Sequence, residues 1–332
     1  MIDLHGQFLL RGLVDAHAHL GAERESIDRY LRFIFSGGIT TVRDMAGDSF
    51  LYAQLRPRSN DAETPLARLY YSANWAGPSF WDDRRWVGST QGKPPGEASW
   101  ARAITATSDL MAEAAAHANG LRVWSHPVVF PSRPSDVVRS GIDVISHATL
   151  FVWEGATTLP TTYHSGAHGD FGPAAPYADG PVRSPAVLRV LEEMKRRGTM
   201  LDATVSTIPF SISETAAVWG YQLTALARSM GIPVVAGTDR DASQTADGYP
   251  TLFEELEALV DKCGFSALDA ITTATLNGAR ALGIEKDFGT VEPGRMADLI
   301  VVRGDPAADI RNLRRVSYVI KSGRVHTSTA RR

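Results

Sequence analysis

Only one cysteine, Cys263, occurs in the 332 residues. A lone thiol excludes an internal disulfide framework and a cysteine-rich zinc site, so its ordinary role is that of a small core residue. No apolar run approaches the roughly 18 residues of a membrane-spanning helix. Residues 1–10 also lack the basic start and long apolar stretch of a secretory leader, which reads as cytoplasmic. Neither charge sign dominates: 34 Lys and Arg stand against 37 Asp and Glu, for a net charge of −3. No basic block appears beyond Arg331-Arg332, so nucleic acid and membrane surfaces are not expected partners and a small-molecule substrate is.

What is present alternates. Strand-like apolar runs at 13–17, 40–44, 68–72, 121–126, 143–147, 200–204 and 234–239 are separated by helical periodicity at 24–36, 111–119, 184–197 and 214–230. Several helical stretches stop on a glycine (Gly120, Gly198, Gly231) just ahead of the next strand. Such alternation implies a parallel sheet with helical crossovers. Two stretches break the rhythm, 75–95 and 151–185, and loops of that length are usually lids or binding loops. Trp75, Trp81, Trp86 and Trp100 cluster around the first and could line an aromatic pocket or pack the loop down. Tyr163, His164 and His168 in the second are candidates for orienting substrate. Beyond Gly289 short strands are expected at Val291, 297–302, 316–321 and 324–326, joined by 2–4 and 8–10. Residues 1–10 with 289–332 therefore read as a small β subdomain on a domain spanning 11–288.

The chemistry concentrates at strand ends. In Leu13-Val14-Asp15-Ala16-His17-Ala18-His19 residues two apart share one face, so Asp15, His17 and His19 are expected to project together. Two imidazoles on adjacent rungs can chelate one divalent ion, or can be a pair of surface histidines. Val123-Trp124-Ser125-His126 and Val144-Ile145-Ser146-His147 each end an apolar strand on histidine, and Val234-Val235-Ala236-Gly237-Thr238-Asp239 ends one on aspartate. A single strand-end histidine is commonly structural. Four strands ending on His or Asp point instead to a metal centre.

These motifs resemble the amidohydrolase superfamily, in its imidazolonepropionase-like and metal-dependent prolidase-like branch. So do Phe8-Leu9-Leu10 leading into the histidine motif, Gly37-Gly38-Ile39-Thr40-Thr41-Val42-Arg43-Asp44, and Ala274-Thr275-Leu276-Asn277-Gly278-Ala279-Arg280. Gly289-Thr290-Val291-Glu292-Pro293-Gly294-Arg295-Met296-Ala297-Asp298 completes the likeness. The resemblance implies a distorted (β/α)8, TIM-like barrel with a β-sandwich subdomain. It also implies His17 and His19 from strand 1, His126 from strand 5, His147 from strand 6 and Asp239 from strand 8 around divalent metal.

Two departures shape the expected chemistry. Relatives carry further strands ahead of residues 8–10, so an incomplete sandwich is expected, with exposed edges favouring self-association into a homo-oligomer. Binuclear relatives bridge two metals with a carboxylated lysine or a glutamate on strand 4. Between Ser99 and Leu121 there is no lysine and one glutamate, Glu113, so a regular strand 4 is expected to be absent or to lack its ligand. Two divalent ions about 3.5–4 Å apart would then keep two uncompensated positive charges. One ion, most naturally zinc, held by His17, His19, His126 and Asp239 is better balanced, with His147 a ligand only if a second ion binds. Asp239 would act as general base and acid, and His147 would hydrogen-bond water or substrate. The expected reaction is metal-dependent hydrolysis of an amide or cyclic-amide C–N bond. A deaminase using the same mononuclear site, or a non-catalytic scaffold of this fold, are the rival readings.

Overall fold

The computed structural model describes residues 3–21, 23–45, 49–72, 116–159, 177, 180–207, 213–241 and 244–327. The chain divides into two compact units, Met1–Ala73 with Ala236–Arg332, and Asn74–Val235. The sequence expectations for the four tryptophans, for Tyr163, His164 and His168, and for most of the strand-4 stretch fall outside the described residues.

The first unit holds two sheets. β2 (Leu13–His19), β3 (Ile39–Asp44), β4 (Arg68–Tyr71) and β9 (Arg240–Asp241) form a parallel sheet in the order β4-β3-β2-β9. β2 is buried along its length apart from His19, as a strand covered on both faces must be. Helix α1 (Arg24–Ser36) crosses from β2 to β3, burying Ile27, Tyr30, Leu31, Ile34 and Phe35 along one stripe. Gly12 is required where β2 begins, because a Cβ there would lie 2.1 Å from Thr40 Oγ1. β1 (Phe8–Arg11), β10 (Leu299–Val302), β11 (Val316–Lys321) and β12 (Arg324–Thr327) make an antiparallel sheet in that order. Its outer strands carry exposed Phe8, Leu9 and Val325.

A buried polar knot joins the end of β11 to the chain ahead of β4. Lys321 is fully buried, and its ammonium donates to the carbonyls of Ser59 (2.6 Å), Thr64 (3.1 Å) and Leu66 (2.8 Å). Beside it Arg68 forms a two-pronged pair with Asp298, at 2.6 and 3.2 Å. Burial, then the neighbouring Arg68 charge, lowers Lys321 to about 8.

In the second unit β5 (Trp124–Ser125), β6 (Val144–Ser146), β7 (Met200–Asp202) and β8 (Val234–Val235) form a parallel sheet in chain order. Helices Pro185–Arg197 and Glu214–Ser229 start on Ser184 and Ser213, whose hydroxyls cap Val187 and Ala216.

Several expectations need correction. The loop read from residue 151 begins instead inside a 3-10 helix, Ala148–Gly155, with Phe151, Val152 and Trp153 buried. The strand expected at 121–126 shrinks to Trp124–Ser125, because Asp143 captures the Val123 amide at 2.8 Å and the Arg122 guanidinium at 2.7 Å. Val291 belongs to no strand and is exposed. Helices Ser49–Asn60, Pro134–Ser140, Leu252–Asp261, Ala267–Thr273 and Leu276–Leu282 add to those anticipated.

No helix among the described residues is long and apolar enough to cross a membrane. Cys263 is 4% exposed, and burial, then the Glu255 charge, pushes its thiol well above the usual range. We expect iodoacetamide to leave the native chain almost unmodified and to label it fully in denaturant, counted by intact mass. Native labelling at the rate of the unfolded chain would place Cys263 at the surface.

Candidate metal centre

In the first unit the alternation of β2 presents His17 and His19 at the strand's end, with ring centroids 5.4 Å apart. Asp239 Oδ1 lies 3.2 Å from His17 Nε2 and 2.9 Å from His19 Nε2. His17 is buried, whereas the His19 side chain keeps 30% of its surface and that of Asp239 21%, so the trio opens to solvent on one side. Asp239 has φ +50°, the left-handed region. Its amide donates to the His17 carbonyl at 2.8 Å, and the Thr238 amide donates to the same carbonyl at 2.9 Å.

Asp15 does not join the two histidines. Its carboxylate is taken up by backbone and hydroxyl donors: Oδ1 accepts from the amides of His17 (3.3 Å) and Thr238 (3.1 Å), and Oδ2 from the Thr238 hydroxyl (3.0 Å). Burial pushes this carboxyl up to about 7, against the hydrogen bonds from Thr238 and His17, which pull it down.

The trio suits a divalent ion. Zinc bonds near 2.0–2.2 Å in a tetrahedron separate neighbouring ligand atoms by about 3.4 Å. The contacts at Asp239 fall a few tenths of an ångström short of that, so a small outward shift makes room. Two imidazoles and one carboxylate are also the ligand types that zinc prefers.

In the second unit His126 follows β5 and His147 follows β6. Their Nε2 atoms face each other at 3.1 Å, with rings 80° apart. His147 has φ +69°; its Nδ1 meets Thr204 Oγ1 at 2.9 Å, and its amide donates to the Asp202 carbonyl at 2.9 Å. Thr204 itself has φ +48°, and the Ser146 hydroxyl donates to Asp202 at 2.7 Å. Among the described residues five that are not glycine have such backbone, and His147, Thr204 and Asp239 are three of them. Strain of this kind collects at functional sites because the surrounding structure must hold it.

The sequence reading singled out His17, His19, His126, His147 and Asp239. The structure joins His17, His19 and Asp239 in one unit, and His126 with His147 in the other. It adds Thr238 and Thr204, which the reading missed; the one available signal was position, beside or following a strand end.

Residues 176–326 match the amidohydrolase family. Over 87 residues the chain is 37% identical to a 5-methylthioadenosine/S-adenosylhomocysteine deaminase of Teredinibacter turnerae, covering 24% of this chain and 19% of that protein. Over 66 residues it is 39% identical to an imidazolonepropionase of Picrophilus torridus, covering 20% of this chain and 15% of that protein. The chain thus matches under a fifth of the length of these relatives. Across nearly its whole length it is similar in fold to a crystal structure of a Xaa-Pro dipeptidase with methionine bound in the active site. That superposition has a TM-score of 0.66 and 21% identity, over 97% of this chain and 87% of the other.

Proposed function

We propose that the chain is a metal-dependent hydrolase of amide or cyclic-amide C–N bonds, a reading supported by the match of residues 176–326 to the amidohydrolase family. The observation that carries this reading is the convergence of His17, His19 and Asp239 within 3.2 Å contacts at the end of β2. We assign these three as ligands of one divalent ion, most naturally zinc, with His126 as the fourth. Such an ion, when bound, supplies a Lewis acid that lowers the pKa of water to near 7. Asp239 then takes the water proton and returns it to the leaving nitrogen. His147 donates from Nε2 to the carbonyl oxygen of the scissile bond. That role requires the proton on Nε2, which the Thr204 hydroxyl permits by donating to Nδ1.

The same reading takes the parallel strands as those of a distorted (β/α)8 barrel. It takes 1–10 with 289–332 as the appended β subdomain, and Tyr163, His164 and His168 as substrate contacts.

We expect elemental analysis of protein purified without added metal to find about one divalent ion per chain, lost together with activity on chelation. Two full equivalents, both needed for turnover, would overturn the single-ion assignment. The deaminase alternative is supported by the match to the Teredinibacter turnerae protein. A panel of N-acyl amino acids, dipeptides and cyclic amides, set beside an ammonia-release screen of aminopurines, separates the two. Metal binding without turnover of either class would leave the scaffold reading.

A further inference from the structure

Asp239 reaches two imidazoles only because a turn carrying left-handed backbone is pinned against β2. Two backbone amides hold that turn on one carbonyl: Thr238 and Asp239 both donate to His17 O. A single carbonyl cannot by itself fix the rotation of the turn about that point. The second attachment is the Asp15–Thr238 pair, where the Thr238 amide and hydroxyl reach the two oxygens of one carboxylate, at 3.1 and 3.0 Å. The same carboxylate accepts from the His17 amide. One buried Asp15 side chain therefore ties the strand that bears His17 and His19 to the turn that bears Asp239. Asp15 is 1% exposed and Thr238 0%, so water cannot substitute for the missing partner if either is removed.

The Thr238 hydroxyl has two acceptors in reach, Asp15 Oδ2 at 3.0 Å and His17 O at 3.2 Å. Threonine suits the place because it supplies a donor within a wholly buried volume. Valine would fill the same volume and donate nothing.

We infer that Thr238, through Asp15, is a positioning residue that holds Asp239 at the two β2 histidines and so sets the affinity of that trio for a divalent ion. The inference rests on the metal-centre reading above. Thr238 touches no reacting atom; it acts on ion binding through the geometry of the Asp239 turn.

The test is Co2+ and Zn2+ binding to the full-length chain and three variants, Thr238→Val, Thr238→Ser and Thr238→Ala. Affinity is read by competition with a chromophoric chelator, and geometry by the visible absorption of the Co2+ form. Loss of an outer hydrogen-bond partner typically weakens metal binding about 10–100-fold. We expect that loss in Thr238→Val and Thr238→Ala, with an altered Co2+ spectrum, while Thr238→Ser, which keeps the hydroxyl, stays within about threefold of the wild-type chain. Far-ultraviolet circular dichroism checks that each variant is folded. Should Thr238→Val not fold, the serine and alanine variants still differ by the hydroxyl alone. Wild-type affinity and spectrum in a folded variant lacking the hydroxyl would overturn the positioning role and leave the metal centre standing. Failure of the wild-type chain to bind Co2+ or Zn2+ would overturn both.

Discussion

Asp239→Asn is expected to lower kcat by about a thousandfold, within the range ascribed to a lost general acid–base. Asparagine keeps the shape of the side chain but cannot take a proton from water, and it removes the negative charge that contacts both His17 and His19. The fold should survive, because asparagine is among the few residues that tolerate the left-handed backbone found at this position (φ +50°). Steady-state kinetics on the best substrate of the panel, with metal content measured on the same samples, checks both parts. A variant keeping more than a tenth of wild-type kcat would remove Asp239 from proton transfer. Unchanged metal content alongside the kinetic loss would confine its role to the proton.

The largest effect on stability is expected from Lys321→Met. Methionine fills most of the lysine volume but takes the ammonium donor from the Ser59 and Leu66 carbonyls, and one of two donors from Thr64, whose carbonyl also accepts from the Leu66 amide at 2.8 Å. A buried acceptor left unmade costs about 1–3 kcal/mol. Two such groups, partly relaxed, bring the loss to roughly 3 kcal/mol, or about 4 °C in Tm for 332 residues. The pH dependence has a definite sign. Lys321 titrates at about 8 in the folded chain, whereas an unfolded lysine titrates near 10.4. Between these values the unfolded chain binds more protons, so the wild-type advantage over Lys321→Met grows as pH rises from about 8 to about 10. Denaturant midpoints at pH 7, 8.5 and 10 read this directly. A gap that closes with rising pH would show that the ammonium, and not the neutral amine, is the form the fold favours.

The contrast between Asp239 and Lys321 shows what a sequence exposes. His17 and His19 are legible because period-two alternation is a local property and strand ends concentrate chemistry. Asp239 is legible as the end of Val234-Val235-Ala236-Gly237, although the strand itself stops early. Beyond Val235 the amide of Ala236 bonds the Thr273 carbonyl and those of Thr238 and Asp239 turn to His17, choices made by residues far along the chain. Thr238 and Thr204 are hydroxyls in apolar company, and only their partners distinguish them from other buried threonines. Asp15 shares the face of His17 by alternation, yet its carboxylate is claimed by Thr238, 223 residues away. Lys321 reads as a solvent-facing lysine at a strand end, because nothing local reveals the carbonyls waiting 255 to 262 residues upstream. The 3-10 helix Ala148–Gly155 lay hidden for another reason, since a short apolar run beside a Gly- and Pro-rich stretch has no period long enough to read.

Those long separations also set the order in which the chain can become itself on the ribosome. The strands of the second unit all come from one continuous stretch, so its sheet can pair as soon as Val235 has emerged. The first unit cannot finish then: β1 pairs with β10, and Phe8 waits for Val302. At about 5–20 residues per second that wait is roughly 15–60 s. For about 11–44 s of it His17 and His19 stand made without the Asp239 turn, and the Lys321 knot follows only after Val302. Ion loading at this trio is therefore a late event, and a nascent chain halted before residue 239 would lack the carboxylate that joins His17 to His19.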